Sequence, residues 1–360
     1  MCSLISKCWV IGSLVLSLSA IVSVAETNSP ASQVAGLPYR VVPDFFHWPN
    51  EWHFGEVSGV AIDSQGHIFV FQRTTPMLSE FDGSGKFLRE VGAGLFTHPH
   101  GLRIDAEDNI WTTDDGSHLV LKLDHNGRPL LVLGRKGVAA EADWLFNEPT
   151  DVAFDKVGNI YVSDGYGNSR VMKFDRTGRF VKSWGSFGKG PGQFDLPHTI
   201  LIDKEDHVYV GDRENKRIQI FDSQGKFLKQ WTDIGYPYGL CFGPNGHIWM
   251  ADGGYDRIVE LNEKGGITGA IGEPGHASGQ FAWVHFLTFG ADGRLFVADV
   301  LNWRVDVFVP TTEQPGMSSY IPTVRMFWDQ KPSNGWENHH VNAPLSKKVP
   351  TQTIRAGENR

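Results

Sequence analysis

Three histidines of this 360-residue chain stand at one place in three copies of a recurring motif. His100 precedes Gly-Leu-Arg-Ile-Asp105, His198 precedes Thr-Ile-Leu-Ile-Asp203, and His285 precedes Phe-Leu-Thr-Phe-Gly290. Each lies five residues before a turn residue, so a fold that superposes the copies brings three imidazoles together. Three neutral imidazoles around an open fourth position form a catalytic zinc arrangement. A single histidine would carry little, because the chain has 14 of them, and the shared register is what points to a metal. A second register, just past the next strand, holds Arg73 and Arg213. Two guanidinium groups at one mouth suit an anionic or carbonyl-bearing ligand, and solvated loop arginines are the alternative. Tyr166 follows closely in Ser163-Asp-Gly-Tyr-Gly-Asn-Ser-Arg170. Beside a metal, a tyrosine of lowered pKa can act as a general base; packing a loop is its other reading.

The elements that must position these groups are repeated. The segments GVAIDSQGHIFVFQ from Gly59, GLRIDAEDNIWTTD from Gly101 and DVAFDKVGNIYVSD from Asp151 share one pattern. So do TILIDKEDHVYVGD from Thr199, GLCFGPNGHIWMAD from Gly239 and FLTFGADGRLFVAD from Phe286. Their turn residues, Asp63, Asp105, Asp155, Asp203, Gly243 and Gly290, recur at intervals of 40 to 50 residues. Short strands bounded by turn residues, four to a repeat of this length, are the signature of a propeller blade. The expected fold is all-β, a six-bladed β-propeller from Tyr39 to Pro310. The run Asp-Arg-Glu-Asn-Lys-Arg-Ile-Gln-Ile-Phe221 resembles an NHL-type repeat. The sixth copy shows three clear strands, so a segment from the other end of the domain, Tyr39-Arg-Val-Val-Pro-Asp-Phe45, is expected to close the ring. In a propeller the first strands line the central channel. The residues five before each turn then form one ring: Ser58, His100, Thr150, His198, Tyr238 and His285. Alternate blades of six lie about 120° apart, which gives the three histidines threefold geometry.

Composition agrees with a turn-rich globular domain: 41 Gly and 19 Pro serve the turns, and 41% hydrophobic residues supply a core. The net charge of -8 argues against a nucleic-acid partner. Residues 1–25 read as a signal peptide, with an apolar run from Trp9 to Val22 and small residues at Ser23 and Ala25; an uncleaved anchor is the alternative. The expectation is a secreted or periplasmic monomer that leaves the membrane after cleavage and acts on a small molecule or peptide. Residues 26–38 read as a linker and 311–360 as a polar tail, whose His339-His340 pair is expected to be solvated. Cys2 and Cys8 fall in the signal segment, so the exported chain keeps Cys241 alone and has no internal disulfide. Cys241 sits in an apolar run and reads as a small buried hydrophobe.

Several runs carry a resemblance. Leu-Phe-Thr-His-Pro-His-Gly-Leu102, Glu-Pro-Thr-Asp-Val-Ala153 and Tyr-Val-Ser-Asp-Gly-Tyr-Gly-Asn-Ser-Arg170 resemble the peptidyl-α-hydroxyglycine α-amidating lyase family. So do Gly-Gln-Phe-Asp-Leu-Pro-His198 and Asp-Arg-Glu-Asn215. The resemblance covers roughly Ser58 to Val309 and implies a six-bladed propeller with zinc on His100, His198 and His285. It implies Tyr166 as the catalytic tyrosine, with Arg73 and Arg213 as functional arginines. The implied reaction cleaves the C–N bond of a carbinolamide, giving an amide and glyoxylate without a redox cofactor. A structural calcium is also implied, held partly by backbone carbonyls near Val60 and Leu102. Around the third histidine the chain departs from the family, with Trp283 in place of Met and Phe286 in place of an acidic calcium ligand, which weighs against calcium. From the residues alone, a non-catalytic propeller binding a peptide or glycan and a metal-dependent hydrolase stay open beside the lyase. A lactonase-type propeller would use calcium with acidic ligands, and the histidine ring argues against it.

Overall fold

A computed structural model describes residues 34–312. The segment read as a signal peptide, residues 26–33 of the linker and all but the first two residues of the polar tail lie outside the described residues. The described residues form six four-stranded antiparallel sheets and contain no helix. Five sheets run in simple chain order from their first strand to their fourth. The sixth holds three consecutive strands, Val284–Phe289, Leu295–Asp299 and Arg304–Pro310, and its outermost place is taken by Tyr39–Val42. That strand pairs with Arg304–Pro310 in a register running from Tyr39 opposite Pro310 to Val42 opposite Val307. The ring is thereby closed by the chain's own early strand, which leaves no open edge between first and last blades. Just before it, Leu37 N–H donates to the Ala270 carbonyl (3.1 Å) and Ala270 N–H donates to the Ala35 carbonyl (2.9 Å).

Each sheet's inner strands are almost wholly buried, whereas outer strands such as Phe180–Trp184 alternate toward solvent. Apolar residues on both faces of the inner strands let every sheet pack against two neighbours. Six hydrophobic clusters result, one at each blade interface. The cluster between blades six and one, containing Val57, Phe81, Phe286 and Val307, seals the closure. Cys241 belongs to the cluster between blades five and six, where burial pushes its thiol up to about 12.

The turn after each first strand follows from its residue type. The Asp63 carboxylate accepts the backbone N–H groups of Gln65 (3.0 Å) and His67 (2.8 Å). Asp105, Asp155 and Asp203 do the same in the next three blades. Such an Asx turn satisfies backbone donors that the tight connection would otherwise strand.

A second repeated device lies within blades. Asp164, Asp212, Asp252 and Asp299 end the second strands of blades three to six and are fully buried. Each carboxylate accepts a backbone N–H from the segment leading into its own blade's first strand, as Asp195 N–H does to Asp212 (2.7 Å). Each also faces an arginine, and the Arg217–Asp212 contact is 2.7 Å. Burial raises the carboxyls of Asp164 and Asp252 to about 6 and that of Asp299 to about 7. These pairs fix the approach of the chain to the first strands of blades three to six, and so fix what those strands present to the axis.

Candidate functional site

The six ring residues all occupy the second position of their strands: Val57–Ile62, Pro99–Ile104, Pro149–Phe154, Pro197–Ile202, Pro237–Phe242 and Val284–Phe289. In every one of these strands the pairing register with the second strand shifts at that position. A bulge there frees the residue from the ladder and re-aims its side chain, which is how a strand inside a sheet can present a side chain to the channel.

The three histidines are completely buried and nearly equidistant, with ring centroids 4.8, 4.8 and 4.9 Å apart. Their ligand nitrogens all lie within 4.8 Å of one another. Each imidazole is held from behind by a carbonyl of the next blade. His100 Nδ1 meets the Thr150 oxygen at 2.6 Å, His198 Nδ1 the Tyr238 oxygen at 2.7 Å, and His285 Nδ1 the Ser58 oxygen at 2.7 Å. A carbonyl only accepts, so each Nδ1 carries the hydrogen and each Nε2 keeps its lone pair. The ring therefore alternates around the axis: ligand histidine, then supporting carbonyl. Ser58, Thr150 and Tyr238, which look unremarkable in the register, are the supports.

Tyr166 enters from the loop after the second strand of blade three. Its hydroxyl lies 3.0 Å from His100 Nε2 and 3.1 Å from His198 Nε2. Gly165 makes this approach feasible: a Cβ there would come within 2.0 Å of the Pro197 carbonyl oxygen. One hydroxyl has one hydrogen to donate, and His285 Nε2 has no hydrogen-bond partner. Three buried lone pairs thus converge with a single proton between them. Such a cluster is short of positive charge, and a metal ion bound by the three nitrogens satisfies it.

The electrostatics fit a cation site. Burial is the main cause that holds His285 at about 3, with the Arg73 charge next. Burial likewise holds His100 and His198 well below the usual imidazole value. All three are neutral and need shed no proton to ligate. Burial also pushes the Tyr166 phenol above its ordinary value, while Arg213 and Arg73 pull it back down.

Both arginines stand at this mouth. The Arg213 guanidinium lies 5.5 Å from the Tyr166 ring centroid and 4.8 Å from that of Tyr238, and its Nε donates to Glu214 at 2.9 Å. Arg73 donates to the Pro99 carbonyl (3.4 Å) and to Glu56 (3.3 Å). Trp283, in a left-handed backbone conformation (φ 75°), sets its ring 6.2 Å from His285 and 6.4 Å from Tyr238. Register reasoning sets His98 aside, yet it borders the site: its Nδ1 lies 2.5 Å from Asp115, and its charge bears on His100 and His285. Asp115 occupies the same register as Arg73 and Arg213, one past the end of the second strand, whereas His98 lies two positions before the histidine ring and so escapes register reasoning.

Comparison with known proteins gives one consistent picture. A family model described as a 6-bladed beta-propeller matches residues 140–234. The rat peptidylglycine alpha-amidating monooxygenase is 32% identical over 302 residues, covering 72% of this chain and 31% of that protein. A probable peptidyl-alpha-hydroxyglycine alpha-amidating lyase of Caenorhabditis elegans is 37% identical over 189 residues, covering 45% of this chain and 54% of that protein. The mouse NHL repeat-containing protein 3 is 33% identical over 234 residues, covering 60% of this chain and 65% of that protein. The chain thus spans about a third of the length of the rat relative and about half of the nematode one. Among solved structures, a streptogramin B lyase superposes with a TM-score of 0.56 at 16% identity, covering 76% of this chain and 98% of that one. That likeness shows the fold. The chain is a homologue of the named amidating lyases and of an NHL repeat protein, and its six sheets agree with the 6-bladed propeller of the family model.

Proposed function

We propose that this chain is a zinc-dependent carbon–nitrogen lyase. It splits a carbinolamide of the peptidyl-α-hydroxyglycine type into an amide and glyoxylate. The observation that carries this reading is the Tyr166 hydroxyl set between two of three facing imidazole nitrogens, in a homologue of proteins named for that reaction.

His100, His198 and His285 would hold the zinc, whose preference for a few nitrogen ligands with one open position matches this set. Zinc bound there supplies a Lewis acid. Tyr166, ionised, accepts the proton of the substrate's α-hydroxyl. The hydroxyl oxygen's electron pair then forms the aldehyde C=O of glyoxylate, the C–N bond breaks, and the amide nitrogen is protonated. No electron is gained or lost. Arg213 and Arg73 suit the substrate carboxylate, because a guanidinium matches a carboxylate with two parallel donors. Their charges also favour the ionised phenol, against the burial that disfavours it.

Glyoxylate release from α-hydroxyhippurate, with metal-loaded and chelated protein, tests the reading. Release by the loaded protein and loss on chelation is the expected result; no release by a chain carrying stoichiometric zinc refutes the lyase. We propose further that the chain is exported and acts as a monomer on a peptide or small molecule, without a nucleic-acid partner. The apolar N-terminal run and the net charge of -8 support this.

A further inference from the structure

One residue past the histidine ring, the first strands carry Gly59, Gly101, Asp151, Thr199, Gly239 and Phe286. From the ring to the turn residues, Asp151 and Arg103 are the only charged side chains on the six first strands apart from the histidines. They meet. Arg103 Nε donates to Asp151 Oδ1 (3.0 Å) and its Nη2 to Oδ2 (2.6 Å), a two-pronged contact to a carboxylate with no solvent exposure. Arg103 Nη1 donates to the Leu240 carbonyl (3.1 Å), and Nη2 reaches Thr199 Oγ1 (3.5 Å). The guanidinium lies 5.3 Å from the centroid of the Phe286 ring. Asp151 is filled from its other sides by the N–H of Val152 (2.8 Å), the Thr199 hydroxyl (2.9 Å) and the N–H of Ile200 (3.1 Å). One side chain from blade two is thus tied to blades three, four, five and six.

The calcium that the family resemblance implies does not fit here. Calcium takes six to eight oxygens. Leu240 stands at the same place in blade five as Val60 and Leu102 in blades one and two, and its carbonyl already receives an arginine N–H. The oxygens of Asp151 are occupied, and blade six offers an aromatic face where an acid was expected. A divalent ion beside this largely buried guanidinium would meet like charge with weak screening. On the far side of Arg103 the channel continues as a cavity of about 250 Å³, lined by residues such as Ile62, Ile104, Phe154 and Ile202 and touching none of the ring residues.

We infer that Arg103 is the built-in axial cation of this propeller: its guanidinium, neutralised by Asp151, does the blade-bracing work of a calcium ion, and the fold takes up no divalent cation there. The acid has moved from blade six to blade three, and the positive charge has become part of the chain.

The test uses the full chain with zinc present and calcium removed. Equilibrium dialysis with radioactive calcium should find no stoichiometric binding, and millimolar calcium should leave the unfolding temperature unchanged. Arg103→Met strands a buried carboxylate and should lower that temperature by roughly 5–15 °C. Arg103→Lys keeps the charge, loses the two-pronged contact and should fall between. One tightly held calcium per chain, stabilisation of the wild type by calcium, or either variant unfolding at the wild-type temperature would overturn the inference. The wild-type measurements stand even if Arg103→Met does not fold. None of these readouts uses turnover, so a calcium-independent chain that releases no glyoxylate would refute the lyase reading alone.

Discussion

Adding zinc to metal-free protein at pH 5.5 should expel almost no protons from the histidines. Three solvated imidazoles with pKa near 6.5 carry about 2.7 protons at that pH, all of which metal binding would displace. Here His285 is held at about 3, and His100 and His198 well below the usual value, with burial the leading cause each time. Their Nδ1 hydrogens are committed to carbonyls and their Nε2 lone pairs already face one another. At most about one proton should appear, from Tyr166 if the metal ionises it. Calorimetric titration in buffers of different ionisation enthalpy counts the protons directly, and two or more per zinc would refute the preformed, neutral site. Acid unfolding is a poorer probe. Below pH 6.5 the unfolded chain binds protons on these histidines that the fold does not, so their contribution is complete above pH 6.5. It is lost on acidification at about 1.4 kcal/mol per pH unit for each. Asp164, Asp252 and Asp299 have raised values and run the other way. The fold binds protons on them that the unfolded chain has shed, so their cost grows as pH rises from about 4 toward 6–7. The two sets oppose each other in stability, whereas the zinc-coupled proton count sees the histidines and the phenol.

Tyr166→Phe should lower glyoxylate release by roughly 10²–10⁴-fold with zinc content unchanged, as loss of a general base does; loss of zinc as well would make its role structural. Gly165→Ala would drive a Cβ into the Pro197 carbonyl and push Tyr166 out of place. It should therefore cost activity at least tenfold, and wild-type turnover would show that Tyr166 need not sit where it does. Arg217→Met leaves Asp212 buried, and also frees the carbonyls of Lys189, Gly190 and Gln193. The expected cost is about 3–5 kcal/mol, read as a fall in unfolding temperature of roughly 6–15 °C, with zinc binding retained by the folded fraction.

The blades and the histidine ring were legible because a repeat turns sequence position into angular position. The chain needs no contact information to reveal that His100, His198 and His285 face one axis; equal register in alternate copies is enough. The closing strand was legible for the same reason, since a sixth copy one strand short demands a donor. What register alone does not reveal is chemistry done by the backbone. The carbonyls of Ser58, Thr150 and Tyr238 fix the tautomer of every histidine, yet a carbonyl is present at all positions and leaves no trace in residue type. Nor does register reveal contacts between copies at different heights. Arg103 lies three residues past the ring and Asp151 one, so no single column of the alignment joins them. A signal was nevertheless there. In strands that otherwise read GVAI, TILI, GLCF and FLTF, one arginine and one aspartate interrupt an apolar lining, and burying either charge alone would cost several kcal/mol. Two such residues on neighbouring first strands are required to pair, and the space their pair fills is the space a bound ion would need.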